Sequence, residues 1–218
     1  TELEGRPIVW IDDLPRYTAT HWGVCALSTT HRRKYVAQAA ALGLRFGTFV
    51  HPTARVSARA RLGEGCFVSA MAAIATHTTL GRSVFVNRSA LIGHHTTIGD
   101  YGTIQPGANV AGAVTVGSDT YVGMGAVVLD RRTIGQGCII AAGAVVRANV
   151  ATLARVERQE QRRRGRGGAL GPQVDHLRRG HPVDRPAGLP RPLAEIDVLR
   201  VHEVALVPAA RRVECAPA

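Results

Sequence analysis

Lysine is almost missing from this sequence, where Lys34 stands alone against 26 arginines. So lopsided a choice reflects coding bias rather than selection for phosphate contacts, and the net charge of +11 is spread over both halves of the chain. Aromatics amount to 5%, and none interleaves with the arginines after Arg147, which excludes the stacking surface of a single-strand nucleic-acid binder. The charge predicts instead a modest positive field that draws anionic small molecules, with no nucleic-acid partner. The four cysteines (Cys25, Cys66, Cys138, Cys215) show no paired spacing, so neither a disulfide frame nor a zinc site is expected. Reduced thiols of a cytoplasmic protein fit better. No apolar run approaches the roughly 20 residues of a membrane span, and no membrane partner is expected.

What the chain does have is glycine, 24 of them, and a repeat. Every sixth residue from Val50 is aliphatic: Val50, Val56, Leu62, Val68, Ile74, Leu80, Val86, Ile92, Ile98, Ile104, Val110, Val116, Val122, Val128, Ile134, Ile140, Val146. Glycine often follows, as at Gly63, Gly81, Gly93, Gly99, Gly117, Gly123 and Gly135. Two residues before the aliphatic the residue is mostly small, as at Ala54, Ala60, Cys66, Ala72, Ala90, Ala108, Ala126 and Ala144. A period of six excludes an α-helix and is too short for a hairpin meander. It predicts a left-handed parallel β-helix in which three hexapeptides close one triangular coil of 18 residues. The aliphatic points inward, the glycine makes the corner, and the small residue eases the bend. Cys66 and Cys138 then serve packing rather than nucleophilic chemistry.

The repeat sets three regions. Residues 1–49 read as part of a small, truncated α/β domain, with strands over 7–11 and 23–27, Ser28, Thr29 and Thr30 as helix caps, and a helix over 31–42 closed by Gly43. The glycine-rich first turn of such a domain is missing. Residues 50–146 form the β-helix. Residues 147–218 read as a basic, Arg- and Pro-rich, largely irregular segment, with one short helix over 193–206.

A bare β-helix is a scaffold, so chemistry must come from outward side chains. His77, His94 and His95 lie inside the repeat, with His94 and His95 expected on the strand after the Gly93 corner. Stacking by 18 puts Gly112 one coil above His94 and His77 one coil below His95. An imidazole beside a position without a side chain leaves room for an extended thiol cofactor and its carbonyl. Imidazole can take a proton from an attacking amine or hydroxyl near neutral pH, and a backbone N–H at Gly112 can meet the oxyanion. Histidines that merely face solvent remain the alternative.

At this point the sequence resembles a family. The stretch Asn87-Arg88-Ser89-Ala90-Leu91-Ile92-Gly93-His94-His95-Thr96-Thr97-Ile98-Gly99-Asp100-Tyr101, followed by Gln105-Pro106-Gly107-Ala108-Asn109-Val110-Ala111-Gly112, is similar to the sugar O- and N-acetyltransferases. These include sialic acid O-acetyltransferase and the bacillosamine-pathway N-acetyltransferase. The resemblance covers roughly residues 5–146, including Asp12-Asp13 and the His51-Pro52-Thr53-Ala54 entry to the repeat. It implies a homotrimer that uses acetyl-CoA as co-substrate without a metal and acylates a sugar, amino sugar or nucleotide sugar. It implies His94 as general base, with His95 beside it and Asn87 near the acceptor. Ala111, Gly112 and Thr103 would bind the acyl-CoA, and Asp12 and Asp13 the acceptor.

The chain departs from the family at three points. His95 replaces the usual Asp or Glu after the base, a role Asp100 would then have to fill. The glycine-rich nucleotide-sugar loop and the closing Gly-Val-Pro-Ala-type segment are missing. Two other readings share the fold. A γ-class carbonic anhydrase needs three imidazoles on one metal, and Gly99 stands where the second ligand would fall. A non-catalytic β-helix subunit would account for all three departures.

Overall fold

The structure, a computed structural model, describes residues 2–3, 6–29, 31–158 and 204–208. Every aliphatic of the repeat ends a two-residue strand, from Phe49–Val50 to Val145–Val146. Strands 18 residues apart pair in parallel, as Phe85–Val86 pairs with Phe67–Val68 and Thr103–Ile104. The result is the expected left-handed β-helix, of about six turns. Its first face runs from Phe49–Val50 to Arg155–Val156, its second from Arg55–Val56 to Val145–Val146, its third from Arg61–Leu62 to Thr133–Ile134. One continuous core fills the prism, with Val68, Val86, Ile98, Ile104, Val122 and Ile140 fully enclosed. Burying each such side chain is worth about 1.5–3 kcal/mol.

The corners are made differently from the sequence expectation. From Leu62 to Ile140, and again after Val150, the bend falls three residues after the aliphatic, in the left-handed region, at Met71, His77, Ser83, Ser89, His95, Tyr101, Ala113, Asp119, Arg131 and Leu153 with φ of 51–60°. Glycine supplies that position at Gly65, Gly107, Gly125, Gly137 and Gly143. A side chain there costs about 1–2 kcal/mol of backbone strain. Most corners recover part of it through a bond to the neighbouring coil, as where His95 N–H donates to Thr76 O (3.0 Å). The small residues do not bend the chain. They point inward, and Cys66, Ala72, Ala90, Ala108, Ala126 and Cys138 are completely buried, as are the larger Val84 and Val114 at the same position of the repeat. Burial pushes the Cys66 thiol up to about 11, so it stays protonated, and its Sγ donates to Gly81 O (3.1 Å).

Nor do the glycines after the aliphatics form corners. Five of them, Gly63, Gly81, Gly99, Gly117 and Gly135, follow the third face in successive coils, where an added Cβ would crowd the next coil as closely as at Gly93 and Gly123 on the other faces. A Cβ on Gly117 would lie 2.5 Å from Gln136 N. Gly117→Ala is therefore expected to lower stability by about 1–3 kcal/mol, read as a drop in melting temperature.

The β-helix also runs past Val146. The step to the next inward aliphatic shortens to four residues, Val150 bridges Ile134, and Arg155–Val156 pairs with Ile139–Ile140. Residues 147–158 are thus coil of the β-helix rather than the start of an irregular tail; a register slip hid them from a strict six-residue count. The expected helix over 193–206 is corrected where it is described. Val204–Pro208 is a strand, antiparallel to His21–Cys25, and the rest of that span lies outside the described residues.

The N-terminal unit differs in detail. Arg6–Pro7 pairs with Glu2–Leu3, and Ile11–Arg16 is a 3-10 helix, so no strand spans 7–11. Pro15 inside that turn and the Asp13–Arg16 ion pair (3.1 Å) suit a tight helix rather than a strand. The second strand is His21–Cys25, and the helix is Arg32–Ala41. Its N-cap, His31, makes no side-chain cap bond, although His31 N–H donates to Thr29 Oγ1 (3.3 Å). Leu14, Val36, Ala39, Leu44 and Phe46 form a second small core that reaches Tyr101 of the β-helix.

One side chain joins the two parts. Arg32, 1% exposed, donates to Ser83 O (2.8 Å), Tyr101 O (2.8 Å), Gly102 O (2.7 Å) and Thr103 Oγ1 (2.8 Å), and to Thr29 O on its own side (2.8 Å). No carboxylate is among these partners. Burial pushes the guanidinium down to about 10, with Asp119 among the groups acting the other way, and it remains charged at neutral pH. Beside it Arg33 makes a two-pronged bond to Asp119 (2.8 and 2.7 Å).

Candidate functional site

The second and third faces meet at a vertex built by the corner residues of successive coils. Going up it stand Ala58-Arg59, Thr76-His77, His94-His95, Gly112-Ala113 and Asp130-Arg131. His94 and His95 are the corner itself rather than part of the following strand, because the bend falls two and three residues after Ile92. Both are exposed.

The His94 ring covers Gly112. A Cβ on Gly112 would lie 2.7 Å from His94 Nε2 and 2.8 Å from Cε1. The carbonyl of Gly112 accepts from Arg131 N–H (3.0 Å), whereas its N–H has no acceptor among the described residues. Below, Ala111 O accepts from Thr96 Oγ1 (3.0 Å) and Ala111 N–H donates to Val128 O (3.0 Å). On its other edge His94 Nδ1 lies 3.0 Å from His95 Nδ1, with the rings at 85°. His95 stacks on His77 at 4.8 Å between centroids, and Thr76 Oγ1 lies 3.0 Å from His77 Nδ1. An open hollow of about 420 Å³ adjoins His77, lined by Ala58, Arg59, Ala60, Arg61 and Thr79. The 18-residue stack could have pointed to Arg59, one coil below His77, but its spacing to the histidines passes unnoticed in a linear reading.

The other expected site residues lie elsewhere. Asn87 stands at a different vertex, where the first and second faces meet, and its Nδ2 donates to Gln105 Oε1 (3.0 Å). Thr103 is fully buried under the N-terminal unit and held by Arg32, so the cofactor contact expected of it is not available. Asp12 is exposed and Asp13 pairs with Arg16, both in the 3-10 helix. Asp100 belongs to another vertex, bound to Arg82 (3.0 and 3.1 Å), and does not orient His94 within this chain. Partial burial acts to raise its carboxyl, but the Arg82 amide and guanidinium outweigh that and hold it below the ordinary value. Among the described residues no three His, Cys, Asp or Glu side chains gather as a metal site, and no helix is long and apolar enough to cross a membrane.

Gly112→Ala tests the geometry. The added methyl must displace the His94 ring, so acyl transfer should fall at least about tenfold in steady-state assays while the melting temperature stays nearly unchanged.

Residues 113–148 match the family described as bacterial transferase hexapeptide (six repeats). Among solved structures, a mutant perosamine N-acetyltransferase from Caulobacter crescentus in complex with CoA and GDP-perosamine is 29% identical. That match covers 66% of this chain and 70% of that one, at a TM-score of 0.62. The acetyltransferase domain of PglB from Neisseria gonorrhoeae matches at 31% identity (61% and 65% covered, TM-score 0.59). Its complex with acetyl coenzyme A matches at 27% (71% and 77%, 0.64). WeeI from Acinetobacter baumannii is 25% identical (71% and 76%, 0.67). The chain thus spans about two thirds to three quarters of the lengths of these proteins. No curated protein matches it by sequence.

Proposed function

We propose that this chain, which belongs with the hexapeptide-repeat sugar acetyltransferases, transfers an acetyl group from acetyl-CoA to an amino sugar carried on a nucleotide. The observation that carries the reading is the His94 ring lying against side-chain-free Gly112. His94 Nε2 removes the proton of the acceptor amine as nitrogen attacks the thioester carbonyl. The unpaired Gly112 N–H supports the oxyanion, and the proton returns from Nε2 to the leaving thiolate as the C–S bond breaks. The donor follows from the CoA and acetyl-CoA complexes of the similar structures, and the acceptor class from the GDP-perosamine complex. Incubation with acetyl-CoA and a panel of nucleotide amino sugars should release free thiol only when an acceptor is present. Thiol release that ignores the acceptor, or none with any member, would refute it.

The active assembly is a homotrimer. The second face, beside the site, exposes Leu91, Leu129 and Val145 with Met71 and Met124 at its edge, whereas the third face presents the threonines Thr79, Thr97, Thr115 and Thr133. An apolar strip of this extent marks an interface. Covering it with a second copy turns the His94 vertex into a cleft between chains. Light scattering should give three times the 23.2 kDa chain mass, and Leu91→Glu should dissociate the assembly and abolish turnover together.

A further inference from the structure

The lower end of the second–third-face vertex carries positive charge that the acyl-transfer geometry leaves unused. The hollow of about 420 Å³ there is lined by Arg59, Arg61, His77 and Thr79, with only the small Ala58 and Ala60 beside them. No carboxylate lines it. Glu64, three residues after Arg61, belongs to the next vertex, and the first acid up this one is Asp130, four coils above Ala58. Among the described residues neither Arg59 nor Arg61 makes an ion pair, whereas Arg33 and Arg82 are bound to Asp119 and Asp100. Both side chains are exposed, and Thr76 Oγ1 occupies His77 Nδ1 (3.0 Å), so Nε2 is the imidazole nitrogen left to a ligand. Two planar guanidinium forks with an imidazole and a hydroxyl are the donor set of a phosphate site.

The position of the hollow says which phosphate. In the acyl-transfer reading the Gly112 N–H meets the thioester carbonyl, and Gly112 lies one coil above His94, so the donor comes from that side. The acceptor takes the other. Coils stack about 4.8 Å apart, which sets Arg59 and Arg61 about 10 Å below His94, a gap that one pyranose ring and its glycosidic oxygen span. His77 fills the level between, bordering the hollow and stacking on His95. We infer that Arg59 and Arg61 form an anion subsite that holds the diphosphate of the acceptor nucleotide and sets its amino sugar against His94. The hollow has the size of a small-ligand site rather than of a single phosphate group. The arginines touch no reacting atom, and their contact is the same before and during the chemical step, so they act on KM rather than kcat. The identity of the ligand rests on the acyl-transfer reading; the affinity for a diphosphate does not, since it belongs to the hollow alone.

The test is calorimetric titration of the full chain with GDP and, separately, with inorganic pyrophosphate. Both should bind. Arg59→Gln with Arg61→Gln should weaken each by at least about tenfold, with the melting temperature held because both side chains are exposed. Arg155→Gln with Arg158→Gln removes the same charge at the far end of the prism and should leave both affinities unchanged. In turnover, the Arg59 and Arg61 double variant should raise KM for a nucleotide amino sugar by about the same factor, with kcat and KM for acetyl-CoA within about twofold. No GDP binding by the unmodified chain, affinity that survives the loss of both arginines, or equal loss in the two double variants overturns the inference. So does a rise in KM for acetyl-CoA instead, which would give the hollow to the phosphates of the donor. If the diphosphates bind as stated but no acceptor is acylated, the anion subsite stands and the transferase reading falls.

Discussion

His94→Ala is expected to reduce kcat/KM for acyl transfer by about 10²–10⁴-fold, the usual contribution of a positioned general base. The same substitution should leave stability within about 0.5 kcal/mol, because the ring is exposed and packs against no core residue. The pairing of a large kinetic effect with a negligible thermal one is the diagnostic. A histidine that merely decorated a corner would give neither. Steady-state thiol release and a melting curve on the same preparation settle it, and activity within tenfold of the unmodified chain would remove His94 from the mechanism. Gly112→Ala then separates loss of the base from loss of its placement, since the imidazole remains but the methyl occupies its ground.

The second large effect concerns stability. Arg32→Leu should destabilise the junction between the N-terminal unit and the β-helix by at least about 2 kcal/mol. It leaves the carbonyls of Ser83 and Tyr101 buried without their donor, each costing about 1–3 kcal/mol, while Gly102 O keeps the Phe85 N–H (2.9 Å). Arg32→Lys should recover only part of that. An ammonium has three hydrogens on one nitrogen and cannot reach acceptors spread around a planar fork. Hydrogen exchange gives the sharper readout: amides of the Arg32–Ala41 helix should lose protection while those of the inner coils, such as Ile104 and Val122, keep theirs. Equal loss in both would mean that the two parts unfold as one unit and that Arg32 is not a local clasp.

The candidate site was partly legible in the linear sequence. Adding 18 to His94 gives Gly112 and subtracting 18 from His95 gives His77, and both stacks exist because a strict repeat converts sequence distance into height along the prism. Thr103 could not be judged in that way. Its outward position on the first face is the same as that of an accessible residue, and only the Arg32–Ala41 helix lying over it makes it inaccessible. Arg32 was equally hidden: on the helix it is one arginine among 26, and nothing local marks it as the one that is buried.

The six-residue period by itself determined the β-helix, its parallel pairing and the inward column from Val50 to Val146, because only one regular backbone returns an aliphatic to the interior every sixth residue. Tertiary structure decided where the chain bends, which glycines are needed for backbone approach, that the coils continue to Val156, and that residues 204–208 pair with His21–Cys25. Those outcomes depend on contacts between groups far apart in the chain, whose energies no local pattern encodes.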